Sequence, residues 1–567
     1  AAAGCWRRAS EVPAATPGVR LAAARAWGEA AAAAGRTNEA ADGYAAAVGL
    51  LSMAAWHGLD RATRQEQLAR WAGLAADAAA CAILDARPAL AVELLEQGRS
   101  VLWTQALNLR GDLSLLADKA PGLAERLDSI RAILDSPVPE MTPGLSERAA
   151  SGAWEPARDR QQQDAAELRR RKAREWDEVL AQVRALPGFG HFLAAVPYAD
   201  LRAAPAAGPV VMVNASSYGC HALIVDPGAE QPRVAILPDL SLEAAAEHAG
   251  ELLDALEGAG DPGRSLLDRE KDRRAVLDVL DWLWDVIAAP VLTALGYTAA
   301  PGADSPWPRV WWCPTGPLAV LPIHAAGHHP RLRAAATRTA DSVPDRVISS
   351  YTPTLTALAR ARQPAAPAGV RQLTVGMPAT PGQPRLPAVP AELEVLARHF
   401  PPGEANLRLT GAQATRAAVR TALAGHSWVH FACHAGQEHS DPDRSGFALS
   451  DGMMTIADLA AQFTQGRDLA FLSACQTAAG SVRHLDEAIH LAAAMQFLGY
   501  RHVIATMWTI ADSPAPRVAD TFYTALTPHG QPDLAQTAKA LHHAIGALRQ
   551  ADPADPTLWA PYIHLGI

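Results

Sequence analysis

Two short apolar runs in the final third of the chain limit the architectures open to it. The first reads Trp428-Val429-His430-Phe431-Ala432-Cys433-His434-Ala435-Gly436, the second Leu469-Ala470-Phe471-Leu472-Ser473-Ala474-Cys475-Gln476-Thr477. Each stops abruptly at a reactive side chain followed by small residues. Bounded runs of this length suit strands of a parallel sheet buried on both faces, although period alone leaves a buried helix open. In open α/β sheets, ligands sit in the crevice outside the carboxyl ends of the strands. Two such strands side by side would present the His434 imidazole and the Cys475 thiol there together. A cysteine with a histidine near it in space is one standard way to attack an acyl carbon.

The surrounding texture supports the sheet. Paired strands are expected over 210–215 and 221–225, and helices over 243–256 and 268–295. Another buried strand covers 310–314, with the apolar stretch 318–322 behind it. A strand over 373–377 leads into a Pro-rich loop, 378–390, and then to helices over 391–399 and 415–424. Beyond Cys475 follow a helix over 486–498, a strand over 502–508 and helices over 517–526 and 533–549. The segment 559–564 is expected as an edge strand. Such alternation predicts an α/β fold, a mostly parallel sheet covered by helices on both faces.

Upstream the chain reads as all helix. The division expected is a helical region over 1–135, a linker with a highly charged helix over 136–190, and the α/β domain over 191–567, its catalytic core about 370–567. The Ala-rich helical region fits either a degraded tetratricopeptide array or a plain helical bundle. Either would offer a regulatory protein partner a surface.

Composition excludes several classes. With 49% hydrophobic residues, 19% charged ones and a net charge of -9, the chain is neither disordered nor built to coat nucleic acid. No run of about 18 uninterrupted apolar residues predicts a membrane span. Six scattered cysteines without a CxxC pair, and no leader pattern after Ala1, point to a reducing cytoplasm. The phosphate-loop, HExxH and GxSxG patterns are missing, so nucleotide, zincin and serine-hydrolase chemistry lack support. His430, Cys433, His434, His439 and Cys475 include soft ligands. Their spacing is irregular, and strand alternation puts Cys433 opposite His434, so neither metal nor cofactor is expected.

Roles follow from this placement. Cys475 is the candidate nucleophile and His434 the general acid–base. Backbone N–H groups of Ala435, Gly436 and Cys475 are the candidate oxyanion donors. The bland reading of Cys475 is an inert buried thiol, and that of His434 a bonded core imidazole, which His430 fits better. Thr509 and Asp512 are candidates for a substrate pocket, where a carboxylate would favour Arg or Lys. Asp486 and Glu487 suit the start of a helix.

These residues together resemble the CHAT family of caspase-like cysteine peptidases. The resemblance rests on His430-Phe431-Ala432-Cys433-His434, Ser450-Asp451-Gly452, Leu472-Ser473-Ala474-Cys475-Gln476-Thr477, Asp486-Glu487, Met507-Trp508 with Asp512, and Trp559-Ala560-Pro561-Tyr562. It covers roughly 190–567. It implies a caspase-hemoglobinase-like fold, a His434–Cys475 dyad that need not be tightly paired at rest, and restraint by a sensor or partner. It also implies a place in bacterial signalling or defence. The loops 439–446 and 378–390 are the candidate mobile elements. Two departures stand out: Ala435 directly follows the His where the family has Gly, and Ala478-Ala479 precede Gly480. Because Ala resists positive φ, the oxyanion loop is expected to shift. The function expected is a cysteine endopeptidase acting on proteins. The alternative is a catalytically weak scaffold with the same fold.

Overall fold

The computed structural model describes residues 2–12, 15, 17–56, 70–99, 116–117, 119–135, 155–187, 189–190, 192, 196–261, 263–302, 305–331, 341–363, 369–436, 445–460, 467–474, 491–510, 514–528 and 531–567. The chain forms two compact units, Ala1–Leu74 with Val101–Val196, and Ala75–Ser100 with Pro197–Ile567.

The first unit is helical. Helix Pro17–Ala32 ends at Gly35, whose φ of +68° is the left-handed stop that glycine takes without strain. The chain then reverses into helix Thr37–Trp56. The two helices cross with their backbones touching: a Cβ on Gly43 would lie 2.6 Å from the Gly28 nitrogen. Helices Pro121–Asp135 and Glu155–Arg184 share a core of Leu127, Ile130, Trp176, Val179 and Val183. The charged helix expected from sequence therefore buries one stripe.

The second unit is built on an eleven-stranded sheet among the described residues. Its strands, with those of a smaller sheet, are β1 Val210–Asn214, β2 His221–Val225, β3 Arg233–Ile236, β4 Arg309–Pro314, β5 Ile348–Tyr351, β6 Gln372–Gly376, β7 Asn406–Thr410, β8 Trp428–Ala432, β9 Ala435–Gly436, β10 Gly446–Leu449, β11 Gly452–Thr455, β12 Arg467–Ser473, β13 Tyr500–Thr506 and β14 Tyr562–Gly566. The large sheet runs β3-β2-β1-β4-β5-β14-β13-β12-β8-β6-β7, and the small one β11-β10-β9.

Pairing directions divide the large sheet. Strands β1, β4, β5 and β14 run parallel to one another, as do β13, β12, β8, β6 and β7. The two blocks meet antiparallel at β14 and β13. Their carboxyl ends therefore open at opposite edges of the sheet. Strands of both blocks are buried on both faces, as their near-continuous apolar runs require. The α/β class and the mostly parallel sheet flanked by helices agree with expectation. One strand does not: 559–564, expected at an edge, instead ends in β14 at the centre, sealed between β5 and β13.

At the seam the buried polar groups join up. Ser350 on β5 contacts His564 Nδ1 at 2.8 Å, and His564 Nε2 contacts His502 Nδ1 on β13 at 3.1 Å. Arg309 Nη2 donates to the same Ser350 hydroxyl at 2.8 Å. Burial pushes both imidazoles down, His502 to about 3, so they stay neutral and can share hydrogen bonds without a charge penalty.

Helices Leu74–Leu84 and Pro88–Gly98, grouped with the helical region in the sequence reading, belong to this second unit. They close the carboxyl ends of the first block. Asn214, at the end of β1, donates to the Ala76 carbonyl at 2.9 Å and accepts from Thr315 at 3.0 Å. Arg99 donates to Cys313 Sγ and to the Pro314 carbonyl, both at 2.8 Å. Glu96 accepts from the backbone N–H groups of Leu355 and Thr356, each at 2.8 Å, capping helix Leu355–Ala361 beyond β5. Burial raises the Cys313 thiol despite the neighbouring Arg99.

Candidate active site

The second block leaves its carboxyl edge differently. Strands β8 and β12 are parallel neighbours with Ala432 level with Ser473. His434 lies two residues beyond Ala432 and Cys475 two beyond Ser473. The two chain segments thus leave the sheet side by side, as the sequence spacing anticipated. Cys475 itself lies outside the described residues. The residue before it is anchored, since the Thr506 hydroxyl on β13 donates to the Ala474 carbonyl at 2.8 Å.

His434 is half-buried, and its Nε2 lies 2.8 Å from the Pro384 carbonyl. A carbonyl only accepts, so Nε2 carries the proton and Nδ1 of the neutral ring is left as the base. Pro384 sits in the Pro-rich loop. That loop is folded on itself by Gln383 N–H to the Thr380 carbonyl at 3.1 Å and Leu386 N–H to the Pro378 carbonyl at 3.0 Å. At the other side, the His434 carbonyl accepts from Ala448 N–H at 2.8 Å, joining the histidine to the small sheet.

That ladder sorts the two oxyanion candidates. Ala435 pairs with Phe447 and Gly436 with Gly446. Antiparallel pairs alternate between hydrogen-bonded and non-bonded. With His434 and Ala448 a bonded pair, Gly436 and Gly446 are the next, and the Gly436 N–H is taken by the Gly446 carbonyl. The Ala435 N–H points out of the ladder. The Gly436 N–H is thus turned toward the hairpin and the Ala435 N–H away from it. Ala435 is also extended and away from positive φ, so an alanine after the histidine strains nothing.

The family model of the CHAT domain matches residues 277–567, more than half of the chain. The chain belongs to the CHAT family. No curated protein matches it. Among solved structures, the Arg-specific cysteine proteinase gingipain R is 10% identical, over 52% of this chain and 74% of that one, with a TM-score of 0.34. The same fraction of this chain aligns at 10% identity with a complex of pro- and mature domains from Porphyromonas gingivalis, covering 76% of that chain with a TM-score of 0.34. The Saccharomyces cerevisiae separase–securin complex is 8% identical, over 100% of this chain and 48% of that one, with a TM-score of 0.43.

Behind the histidine of this CHAT chain lies a buried polar triad. His430 Nε2 contacts Glu392 at 3.0 Å, and His430 Nδ1 contacts the Tyr523 hydroxyl at 3.0 Å. The imidazole stacks on Phe471 of β12, ring centres 4.6 Å apart and 11° from parallel. Burial, with Glu392 close by, raises the Tyr523 phenol well above its ordinary range, so it stays protonated. His430 is the bonded core histidine expected from sequence. It also ties helix Val389–His399, which follows the Pro384 loop, to β8.

Thr509 stands exposed three residues past β13, on the rim beside β12. Asp512, His439 and Asp486-Glu487 lie outside the described residues, as does most of the 439–446 loop. Sequence reasoning missed Pro384, which contacts His434, and Glu392 and Tyr523, which contact His430. Pro384 acts through its carbonyl, which every residue type has. Among the described residues, no group of three or more His, Cys, Asp or Glu is arranged to hold a metal, and no helix is long and apolar enough to cross a membrane.

Proposed function

We propose that this CHAT chain is a cysteine endopeptidase, with Cys475 as nucleophile and His434 as general acid–base. The observation that carries the reading is that His434 and the segment bearing Cys475 leave adjacent parallel strands at the same level, while Pro384 holds the imidazole with Nδ1 as its basic nitrogen. His434 takes the thiol proton, sulfur bonds to the scissile carbonyl carbon, and the carbonyl oxygen becomes an oxyanion. The Ala435 N–H, with that of Cys475, would stabilise this oxyanion. Collapse breaks the C–N bond as His434 protonates the leaving amine, and water then hydrolyses the thioester. Thr509 follows β13, Asp512 comes three residues later in the chain, and a carboxylate in the substrate pocket would select Arg or Lys before the cut. The helical first unit receives a protein partner that regulates the enzyme.

Mapping new peptide termini in a proteome treated with the chain, or with Cys475→Ala, tests this. The expected result is a set of cuts sharing a basic residue before the bond, all lost in the variant. Identical termini in both samples, with candidate partners present, would leave the catalytically weak scaffold instead.

A further inference from the structure

The second unit contains a cavity of about 530 Å³ away from the His434 crevice, bounded on one side by helix Thr537–Ala551 and on the other by Trp307, Pro344 and Ile348 of β5. Its size falls within the ~300–1,000 Å³ typical of small-molecule sites. The helix supplies Lys539, His542, His543, Gly546 and Arg549, which recur on one face at helical spacing. Gly546 is the gap in that face: a Cβ built there meets nothing within 4 Å, so the helix backbone itself is part of the wall. Trp307 packs on His542, ring centres 4.7 Å apart, and presents a flat apolar surface. The cavity shares Pro344, His542 and Ile545 with a narrower recess reaching Tyr562 and His564 of β14.

The charges lining the cavity are of one sign. No carboxylate is among the residues lining it. Arg549 is neutralised by Asp345 at 2.6 Å, and His328 leans on Asp285 at 3.0 Å. Among the described residues no carboxylate pairs with Lys539, which stands exposed at the cavity. Apolar walls, a flat indole and an unbalanced ammonium suit one kind of guest. We propose that this cavity binds a small organic anion with a flat apolar body, the ring against Trp307 and the carboxylate or phosphate at Lys539 and His543.

The full chain is titrated with 1-anilinonaphthalene-8-sulfonate, a flat anion that fluoresces when bound, and with its neutral relative N-phenyl-1-naphthylamine. Saturable binding of one anion per chain is expected, about two- to fivefold tighter than the neutral probe, since one exposed charge contact is worth roughly that factor. Lys539→Glu and Gly546→Leu should each weaken the anion about tenfold. Leucine suits a helix better than glycine, so Gly546→Leu fills the space without unfolding it; the exposed Lys539→Glu decides the matter if that variant is unstable. Displacement by adenosine monophosphate identifies a nucleotide-like guest, and displacement by indole-3-acetate an aromatic carboxylate; either supports the site. Equal binding of both probes, indifference to both substitutions, or displacement by neither competitor overturns it.

Discussion

The two parallel blocks of the sheet obey the same rule and end in opposite conditions. In each, a buried apolar strand delivers a cysteine to its carboxyl end: Cys313 on β4 and Cys475 just beyond β12. In the first block that edge is occupied. Helices Leu74–Leu84 and Pro88–Gly98 bring Ala76, Glu96 and Arg99 onto the strand ends, and the thiol of Cys313 is buried and held neutral. In the second block the histidine is half-buried and, among the described residues, bonded to a loop carbonyl and a hairpin. A strand end is thus a place where a site can form. What covers it decides whether one does.

Acid should break the comparison most strongly, because it attacks the closed block and its seam. Burial lowers His324 to about 4, His329 to about 3 and His502 to about 3, and pushes His564 well down, whereas an unfolded histidine titrates near 6.5. Below 6.5 the unfolded chain therefore binds more protons than the native one. Stability is full above pH 6.5 and falls as pH drops toward 4, by up to about 1.4 kcal/mol per pH unit for each group. Urea midpoints at pH 7 and pH 4.5 measure it, and equal midpoints would contradict the burial of these rings.

On the His434 side, His434→Ala should lower peptide cleavage by about 10²–10⁴-fold, the usual worth of a general acid–base. Cys313→Ala, in the closed block, should leave turnover by the folded chain within about twofold, because it lies at the opposite edge of the sheet from His434. Comparable losses from both would erase the distinction between the blocks.

Glu96→Ala removes the cap over the closed edge and orphans the buried Leu355 N–H and the half-buried Thr356 N–H. Unfolding free energy should drop by about 2–4 kcal/mol, and alkylation of Cys313 should accelerate as the edge loosens. Unchanged alkylation would mean that the strand, not the helix pair, shields the thiol.

A smaller contrast lies within the hairpin that holds His434. A Cβ on Gly446 would stand 2.1 Å from the Met454 carbonyl oxygen, a backbone clash, whereas one on Gly436 meets only the tip of Met453 at 2.8 Å. Gly446→Ala should therefore lower activity about tenfold and Gly436→Ala no more than about twofold, the former displacing backbone and the latter a flexible side chain. Steady-state cleavage of one peptide by both variants ranks them.

Much of this was legible in the chain. The runs at β8 and β12 announced themselves by length and apolarity, and their shared level followed from both reactive residues standing two positions past the strand. Strand β5 did not show, because Ser349 and Ser350 interrupt its apolar character; their hydroxyls are there to meet Trp312, Arg309 and His564. Strand β14 was misplaced for a related reason. His564 and the preceding Pro561 look like edge chemistry until the imidazole's partners arrive from β5 and β13. The Glu392–His430–Tyr523 triad and the cover over Cys313 join residues far apart in sequence, so no local pattern encodes them. Cys313 and Cys475 cannot be told apart without the fold.

The central place of β14 has a kinetic consequence. It pairs with β13 on one side and, through Leu565 opposite Tyr351, with a strand more than two hundred residues earlier on the other. Until it docks, the two half-sheets expose facing edges of unpaired backbone amides, each a template for the wrong neighbour. So distant a closure is slow, and the nascent chain must be shielded while it waits.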